Sequence, residues 1–389
     1  MRNYVVKEIP QNSFFSKNVY LDKQFILTAP EIPFTRNLSQ LLDDWGFKVV
    51  YSEGEPRADY YSETSDEFGL AEFADMAVLS DSDKMKRAKE FYLSLYSYVN
   101  QLFETAVIKN ELNYKDMVRH VKTACTIIKE DRRFLFRVQE DTDPGPETNF
   151  QVVHAVKTMI ISIVIGSYFN LPTNRLIDLG IAAILHEIGM FKLPPQIYQS
   201  KRSLSPKERK AILTHPVLGY NLLKSFDFPL PVSLVSLEHH ERENGTGYPQ
   251  KLTSDKISYY AKIIAVACSY EALTASRPHK SAKDGYASML DLLKNEGKQY
   301  DELVVRALVF SLSIYPIGLY VLLSDGRKGQ VIDVNPENPR FPIVQIFGEH
   351  TPDGKNKVVE TSPDGINIVR PLTKNETDSQ GGDSTATQA

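Results

Sequence analysis

Two periods of hydrophobic residues alternate along the chain, and the changes of period indicate its organisation. Near the N-terminus, the apolar runs Tyr4–Val6, Gln24–Leu27 and Phe47–Tyr51 have the β-branched and aromatic composition of strands. Between them, apolar residues recur at helical spacing: Leu38, Leu41, Leu42 and Trp45. Gly46 then ends this helix. We predict a small α+β module over residues 1–60, with Trp45 in its core.

Helical periodicity dominates most of the remaining chain. The pattern predicts helices at about 83–110 and 114–138, and almost continuous helix over 149–312. After Pro316, strand-like runs on either side of Asp325-Gly326 predict a β-hairpin. The predicted fold is therefore mainly α, and the predicted segments beyond the first module are an acidic linker with helices (61–148), a helical domain (149–312), a β extension (313–373) and a disordered tail (374–389).

Composition and charge exclude several classes of protein. The chain has 389 residues and a formal net charge of −4, so a protein that binds nucleic acid polymers is not expected. Cys125 and Cys268 are too few for a disulfide framework. The N-terminus lacks the apolar core of a signal peptide. The uncharged run Thr158–Asn174 contains Gly, Asn and Pro and predicts a buried helix, not a membrane span. We therefore expect a cytoplasmic protein.

Candidate metal ligands are concentrated in the helical domain. Five of the eight histidines fall between positions 154 and 240 of this domain, two of them adjacent and one followed by Glu187: His154, His186, His215, His239 and His240. Imidazole and carboxylate together suit Fe, Mn or Zn better than Ca or Mg. Adjacent residues diverge by about 100° on a helix, so His239 and His240 are expected to serve two neighbouring metals. Cys268 and Glu271 share one helix face and could line the same cavity.

Two motifs in this domain resemble those of a known family. His186–Met190 resembles the HDIGK motif of the HD superfamily, and His239–Pro249 is similar to the HHExxDGxGYP motif of the HD-GYP subgroup. The resemblance implies an HD-GYP-type helical bundle with two transition metals, Fe or Mn, with Zn as an alternative. It also implies hydrolysis of a cyclic dinucleotide, cyclic di-GMP. By position, the implied metal ligands are His154, His186, Glu187, His215, His239, His240 and Cys268.

The resemblance also implies roles in catalysis and binding. Glu187 stands at the position of the family's Asp, where it is implied to be catalytic and could bridge two metals. Arg277 looks like a contact to a substrate phosphate, although a solvated charge at a helix end is equally consistent with the sequence. Tyr248 belongs to the Gly245–Pro249 loop, which would order the site and contact substrate and signalling partner proteins.

The chain departs from the family pattern at several positions. Glu187 replaces the Asp of the HD pair. Met190 replaces the Lys that the family carries four residues after the His. Helical spacing directs Met190 toward the same cavity as His186 and Glu187. Asp of the DG pair is Asn244. Phe150 stands where trinuclear members carry Glu, so a third metal is not expected. Cys268 replaces an Asp ligand, and either a metal ligand or a small buried apolar residue fits this position.

Two functions follow from these observations. The first is a phosphodiesterase in which a hydroxide that bridges two metals attacks the phosphodiester. The second is a catalytically degenerate HD-GYP module that binds nucleotide or partner proteins in signalling without turnover.

Overall fold

A computed structural model describes residues 1–11, 13–22, 26–28, 33–57, 80–141, 149–198, 202–275, 285–335, 337–372 and 376. It divides the chain into two compact units, Met1–Gly69 and Leu70–Ala389. Arg277 and, apart from Glu376, the tail predicted as disordered lie outside the described residues. The finer domain boundaries given above stay predictions.

The N-terminal unit contains small antiparallel sheets and one helix. Its strands are β1 (Arg2–Val5), β2 (Phe14–Phe15), β3 (Val19–Tyr20), β4 (Ile26–Thr28), β5 (Val49–Ser52) and β6 (Pro56–Arg57). Four of them form a sheet in the order β1-β5-β3-β4, and β2 pairs with β6. Helix α1 (Arg36–Asp44) begins at Thr35, whose side chain accepts a hydrogen bond from the Leu38 amide. Leu42 enters the core beside Val19 and Val50.

The prediction that Trp45 belongs to this core is wrong. Trp45 is 64% exposed, and Leu41, one helical turn earlier, is 38% exposed. Leu38 and Leu42 form the stripe that packs on the sheet. Leu41 and Trp45 form a second i, i+4 stripe that faces outward, because the apolar residues of α1 cover a wider arc than the small core can bury.

The second unit is a bundle of eleven helices within the described residues. The helices are α2 (Asp81–Ile108), α3 (Tyr114–Asp141), α4 (Phe150–Tyr168), α5 (Thr173–Leu185), α6 (Pro195–Tyr198), α7 (Pro206–Ile212), α8 (His215–Ser225), α9 (Leu230–Glu238), α10 (Tyr259–Thr274), α11 (Gly285–Lys294) and α12 (Glu302–Leu312). The bundle confirms the mainly α prediction. Ser205 and Glu208 form a capping box at the start of α7.

Helix α4 is the central helix of the bundle. It packs against α2, α3, α5, α10 and α12. By length and composition alone it could cross a membrane, yet most of it is buried within the protein. This burial is typical of a core helix, as the uncharged run that begins at Thr158 predicts.

The C-terminal part of this unit is a five-stranded antiparallel sheet. Its strands are β7 (Tyr320–Leu323), β8 (Lys328–Asp333), β9 (Ile343–His350), β10 (Asn356–Glu360) and β11 (Ile368–Pro371), in the order β10-β9-β8-β7-β11. The predicted hairpin is confirmed, and Gly326 occupies its turn with φ +86°. Strand β11 was not predicted, because it is short, largely exposed and ends at a proline, which only a sheet edge tolerates.

Candidate metal centre

The predicted ligands converge from five helices. His154 lies within α4 and Cys268 within α10, whereas the other ligands lie at helix ends: His186 and Glu187 after α5, His215 at the start of α8, and His239 and His240 after α9. Their ligand atoms form two groups, and within each group all of these atoms lie within 4.8 Å of one another. Residues that are far apart in the chain therefore meet within the helical bundle.

The first group, here called the histidine–cysteine group, contains His154, His186 and Cys268. The Nε2 atoms of the two histidines are 3.2 Å apart. Cys268 Sγ lies 3.5 Å from His154 Nε2. His186 is fully buried, whereas Cys268 is half-buried. The Cys268 thiol thus contacts an imidazole nitrogen of this group.

The second group, the histidine–glutamate group, contains Glu187, His215, His239 and His240. Glu187 Oε2 lies 3.2 Å from His215 Nε2, and Glu187 Oε1 lies 3.9 Å from Nε2 of both His239 and His240. The prediction that the adjacent histidines divide between two metals disagrees with this grouping. Helix α9 ends at Glu238, so the 100° divergence of a continuous helix does not apply to the pair.

Backbone carbonyl groups fix the tautomer of three of the histidines. His186 Nδ1 donates to the Ala183 carbonyl and His215 Nδ1 to the Ile212 carbonyl, each at 2.7 Å. His239 Nδ1 contacts the carbonyls of Val235 and Ser236 at 3.1 Å. A carbonyl can only accept, so Nδ1 carries the proton and the lone pair of Nε2 is directed into the group. In metal-binding histidines, a backbone carbonyl that accepts from Nδ1 fixes the ring in this same way.

These lone pairs provide a test of whether a cation fits. His154 Nε2 faces His186 Nε2 at 3.2 Å, and His215 Nε2 faces His239 Nε2 at 3.3 Å. Two nitrogen ligands at about 2.05 Å from a tetrahedral ion are separated by about 3.3 Å. Glu187 Oε2 is buried and accepts no hydrogen bond among the described residues. A bound cation would satisfy all of these atoms, so the residues present fit a transition metal.

Burial also favours the neutral imidazoles that metals require. Burial lowers the pKa of His186, His215 and His240, and the neighbouring His239 lowers each of these further. For His154 burial acts in the same direction, but the Glu271 carboxylate and Cys268 outweigh it and raise the pKa. For Glu187 burial alone would raise the pKa, but His215 and His239 hold it well below its usual value. Glu187 is therefore a carboxylate at neutral pH.

Glu271 orients His154 from the side opposite Cys268. Its Oε2 contacts His154 Nδ1, and the Glu271 side chain is only 2% exposed. Carboxylates that hold the second nitrogen of a ligand histidine fix its ring orientation and raise its basicity. The prediction that Cys268 and Glu271 line the same cavity is confirmed, since both contact the imidazole of His154.

The loop that follows the histidine pair, Glu241–Ser254, is held by its own backbone. Glu241 is 2% exposed and accepts hydrogen bonds from the amides of Gln250 (2.6 Å) and Leu252 (2.9 Å). Asn244 Oδ1 accepts from the Thr246 amide at 3.1 Å, a bond that the family's Asp could make equally well. The Asp-to-Asn departure therefore leaves this turn intact.

Residues outside the predicted site clamp this loop onto α10 and α12. Lys262 on α10 forms ion pairs with Glu243 of the loop (3.3 Å) and with Asp301 at the start of α12 (3.1 Å). The Arg242 guanidinium lies 5.1 Å from the centroid of the Tyr300 ring. Sequence reasoning missed Lys262, Tyr300 and Asp301, because local spacing does not connect residues some 20 to 60 positions apart.

The position of Met190 differs from the expected helical one. Helix α5 ends at Leu185, and Ile188–Lys192 form a 3-10 helix. The α-helical spacing that directed Met190 toward the cavity of His186 and Glu187 therefore does not apply. The turn is tight because Gly189 packs against the first turn of α8, where an added Cβ would lie 2.0 Å from the His215 carbonyl oxygen.

Comparison with known proteins agrees with this geometry. The family model described as HD domain matches residues 146–304. The chain is 24% identical to cyclic di-GMP phosphodiesterase PdeB of Borreliella burgdorferi, over 96% of this chain and 95% of that protein. It is 28% identical to cyclic di-GMP phosphodiesterase PA4108 of Pseudomonas aeruginosa, over 67% of this chain and 61% of that protein. The helical domain thus matches the HD domain family, and the chain is similar to cyclic di-GMP phosphodiesterases.

A solved structure supports the HD-GYP fold. Bd1817, an HDG"Y"P protein from Bdellovibrio bacteriovorus, matches with a TM-score of 0.50 and 16% identity, over 79% of this chain and 97% of that chain. At this identity the likeness concerns the fold alone. HD-GYP phosphodiesterases are metal-dependent, and both candidate ligand groups lie within the matched HD domain.

Proposed function

We propose that this HD-GYP protein is a metal-dependent phosphodiesterase that hydrolyses a cyclic dinucleotide, with cyclic di-GMP as its substrate. The observation that carries the proposal is the juxtaposition of the two ligand groups. The rings of His186 and His239, one from each group, have centroids 5.0 Å apart. Two adjacent metals, Fe or Mn with Zn possible, suit this arrangement. The relatives named as cyclic di-GMP phosphodiesterases support the choice of substrate.

The chain's own side chains have separate roles in this proposal. The metals would be held by the Nε2 atoms of the five histidines, by Cys268 Sγ and by the Glu187 carboxylate. Glu187 is also the residue assigned to catalysis. When bound, such metals supply a hydroxide nucleophile at neutral pH and neutralise charge on the phosphoryl oxygens. Hydrolysis adds the water oxygen to phosphorus and breaks one P–O ester bond, which yields the linear dinucleotide.

Substrate contacts are assigned to Tyr248 and Arg277. The Tyr248 ring stacks on His240 at the edge of the histidine–glutamate group and is half-buried, so it can present its other face to a base. Arg277 is proposed to make a charge-assisted contact to a phosphate. The Gly245–Pro249 loop is the proposed contact surface for signalling partner proteins.

A degenerate module that binds without turnover is the second candidate. Met190 favours it, because a thioether replaces the family's Lys and cannot carry positive charge to a phosphate or a bridging hydroxide. A Met190→Lys variant that turns over cyclic di-GMP faster than the natural chain would indicate an impaired enzyme. An unchanged or lower rate in an active protein would show that Met190 does not contact the reacting groups.

The deciding experiment combines metal analysis with a turnover assay. Full-length protein, purified anaerobically without chelators, should contain up to two transition metals per chain and release linear dinucleotide from cyclic di-GMP. The Glu187→Gln variant should contain at least one metal fewer per chain and should not hydrolyse cyclic di-GMP. Metal-loaded protein that binds cyclic di-GMP without turnover supports the degenerate module. Protein that neither holds metal nor takes it up on reconstitution contradicts both the metal centre and the hydrolase.

A further inference from the structure

The two ligand groups differ in chemical softness, and this difference has consequences for metal selectivity. We propose that the histidine–cysteine group binds a thiophilic divalent ion through the Cys268 thiolate, whereas the histidine–glutamate group accepts harder ions as well. The inference rests on the proposed function only in that both groups hold metals. It adds that the two sites differ in metal selectivity, so that the centre can hold two different ions.

The geometry of Cys268 fits a thiolate ligand. With Zn–S at about 2.3 Å and Zn–N at about 2.05 Å, a tetrahedral ion separates sulfur from nitrogen by about 3.6 Å. The observed distance from Cys268 Sγ to His154 Nε2 is 3.5 Å, and the neighbouring distance from His154 Nε2 to His186 Nε2 is 3.2 Å. Buried His186, with its Nε2 directed at the same point, provides a second, independent indication of a ligand.

The contrast between the groups comes from their donor atoms. Thiolate selects Zn(II), Co(II) and similar borderline or soft ions, whereas imidazole and carboxylate also accept Fe(II) and Mn(II). The histidine–glutamate group contains no sulfur, and its carboxylate belongs to Glu187. A single Asp-to-Cys departure from the family motif therefore makes one of two adjacent sites thiophilic.

The chain offers a matched control in its other cysteine. Cys125 on α3 is 2% exposed and belongs to neither ligand group. Burial raises the pKa of the Cys125 thiol to about 12, so it stays protonated at neutral pH. Any thiolate-to-metal signal should therefore come from Cys268 alone.

The test is a titration of metal-free, full-length protein with Co(II) under anaerobic conditions. A thiolate ligand produces a near-ultraviolet sulfur-to-cobalt charge-transfer band in addition to the visible bands of tetrahedral Co(II). We expect this band in the natural chain and in Cys125→Ala. Cys268→Ser and Cys268→Asp should lose the band but keep visible bands from the other site. Stoichiometric Zn(II) should displace Co(II) and abolish the charge-transfer band. Excess Mn(II) should leave the charge-transfer band unchanged.

The possible failures are distinguishable. Visible Co(II) bands without the charge-transfer band, or a band that persists in both Cys268 variants, would overturn the thiolate site and leave the proposed metal-dependent function standing. Displacement of the band by Mn(II) as readily as by Zn(II) would overturn the selectivity. Failure to bind Co(II) at all would overturn this inference and the metal centre together.

Discussion

The ring of Tyr248 stacks on the imidazole of His240, with centroids 4.6 Å apart and an angle of 18° between the planes. The tyrosine of the GYP motif thus lies directly against a ligand of the histidine–glutamate group. Its ring supports His240 on one face, and burial raises the pKa of its hydroxyl group, which stays protonated.

Replacing Tyr248 should separate the role of the ring from that of the hydroxyl. Stacked aromatic pairs contribute about 0.5–1.5 kcal/mol beyond burial, so Tyr248→Ala should lower kcat/KM for cyclic di-GMP by up to about tenfold. Tyr248→Phe keeps the ring and should stay within about twofold of the natural chain. Equal losses in the two variants would show that the hydroxyl matters and the stack does not.

Removing the Lys262 ammonium should destabilise the loop clamp. Glu243 and Asp301 would be left facing each other in a largely buried position, because the three side chains are only 10–21% exposed. Lys262→Met should lower the free energy of unfolding by about 2 kcal/mol, less than for a fully buried pair. Lys262→Arg should recover most of this loss in urea unfolding.

An exposed ion pair on the same helical domain provides the control. Arg306 pairs with Glu302 on the surface of α12, with side chains 56% and 49% exposed. Arg306→Met should change stability by less than about 1 kcal/mol. Similar effects of the two Met variants would contradict a specific role for Lys262.

Gly189 should not tolerate a side chain. A Cβ there would lie 2.0 Å from the His215 carbonyl oxygen and 2.5 Å from the Gly219 amide nitrogen. Gly189→Ala must push the 3-10 helix away from α8, which we expect to cost about 3 kcal/mol and to displace Glu187 from His215. Thermal unfolding and metal content should both fall.

Gly285→Ala is the matched comparison for this substitution. The nearest atoms to its added Cβ belong to the side chains of Pro316 (3.0 Å) and Tyr270 (3.1 Å), which can shift. A change below about 1 kcal/mol is expected, since Ala also favours the helix. A Gly189→Ala protein as stable as Gly285→Ala would show that the two backbone segments are not packed as described.

Ionisation of Asp178 on α5 should lower the free energy of unfolding as pH rises, which is the opposite of the usual effect of a carboxyl group. Burial raises the pKa of Asp178 to about 6 from its ordinary 3.8, against the opposing effects of Tyr114 and Arg175. The folded state therefore binds this proton more tightly than the unfolded state. Protonated Asp178 therefore contributes at most about 3 kcal/mol to the free energy of unfolding. This contribution is fully present below about pH 4 and is lost as pH rises through about 6.

The variant Asp178→Asn isolates this contribution, because its neutral amide pays no cost of ionisation in a buried position. The variant should be more stable than the natural chain at pH 7.5, and the difference should shrink toward pH 4. Denaturant unfolding of both proteins across this range checks the prediction. A difference that is constant with pH would indicate that Asp178 ionises normally in the folded protein.

Local sequence alone determined the helical architecture of this protein and part of its candidate ligand set. The helical period over 149–312 predicted the bundle, and the uncharged run Thr158–Asn174 predicted a buried helix, which is α4. The two HD-GYP motifs contain four of the candidate ligands: His186, Glu187, His239 and His240. These features are encoded within a few helical turns, where spacing and side-chain direction are linked by fixed backbone geometry.

The tertiary structure decided how these residues combine. His154 meets Cys268 and Glu271 across more than 110 positions of the chain, and Lys262 meets Asp301 across 39. The end of α9 at Glu238 placed both adjacent histidines in one group, and the limited core of the N-terminal unit left Trp45 exposed. Periodicity specifies only which face of an element is apolar. Where an element ends and which distant face covers it depend on packing against the whole fold.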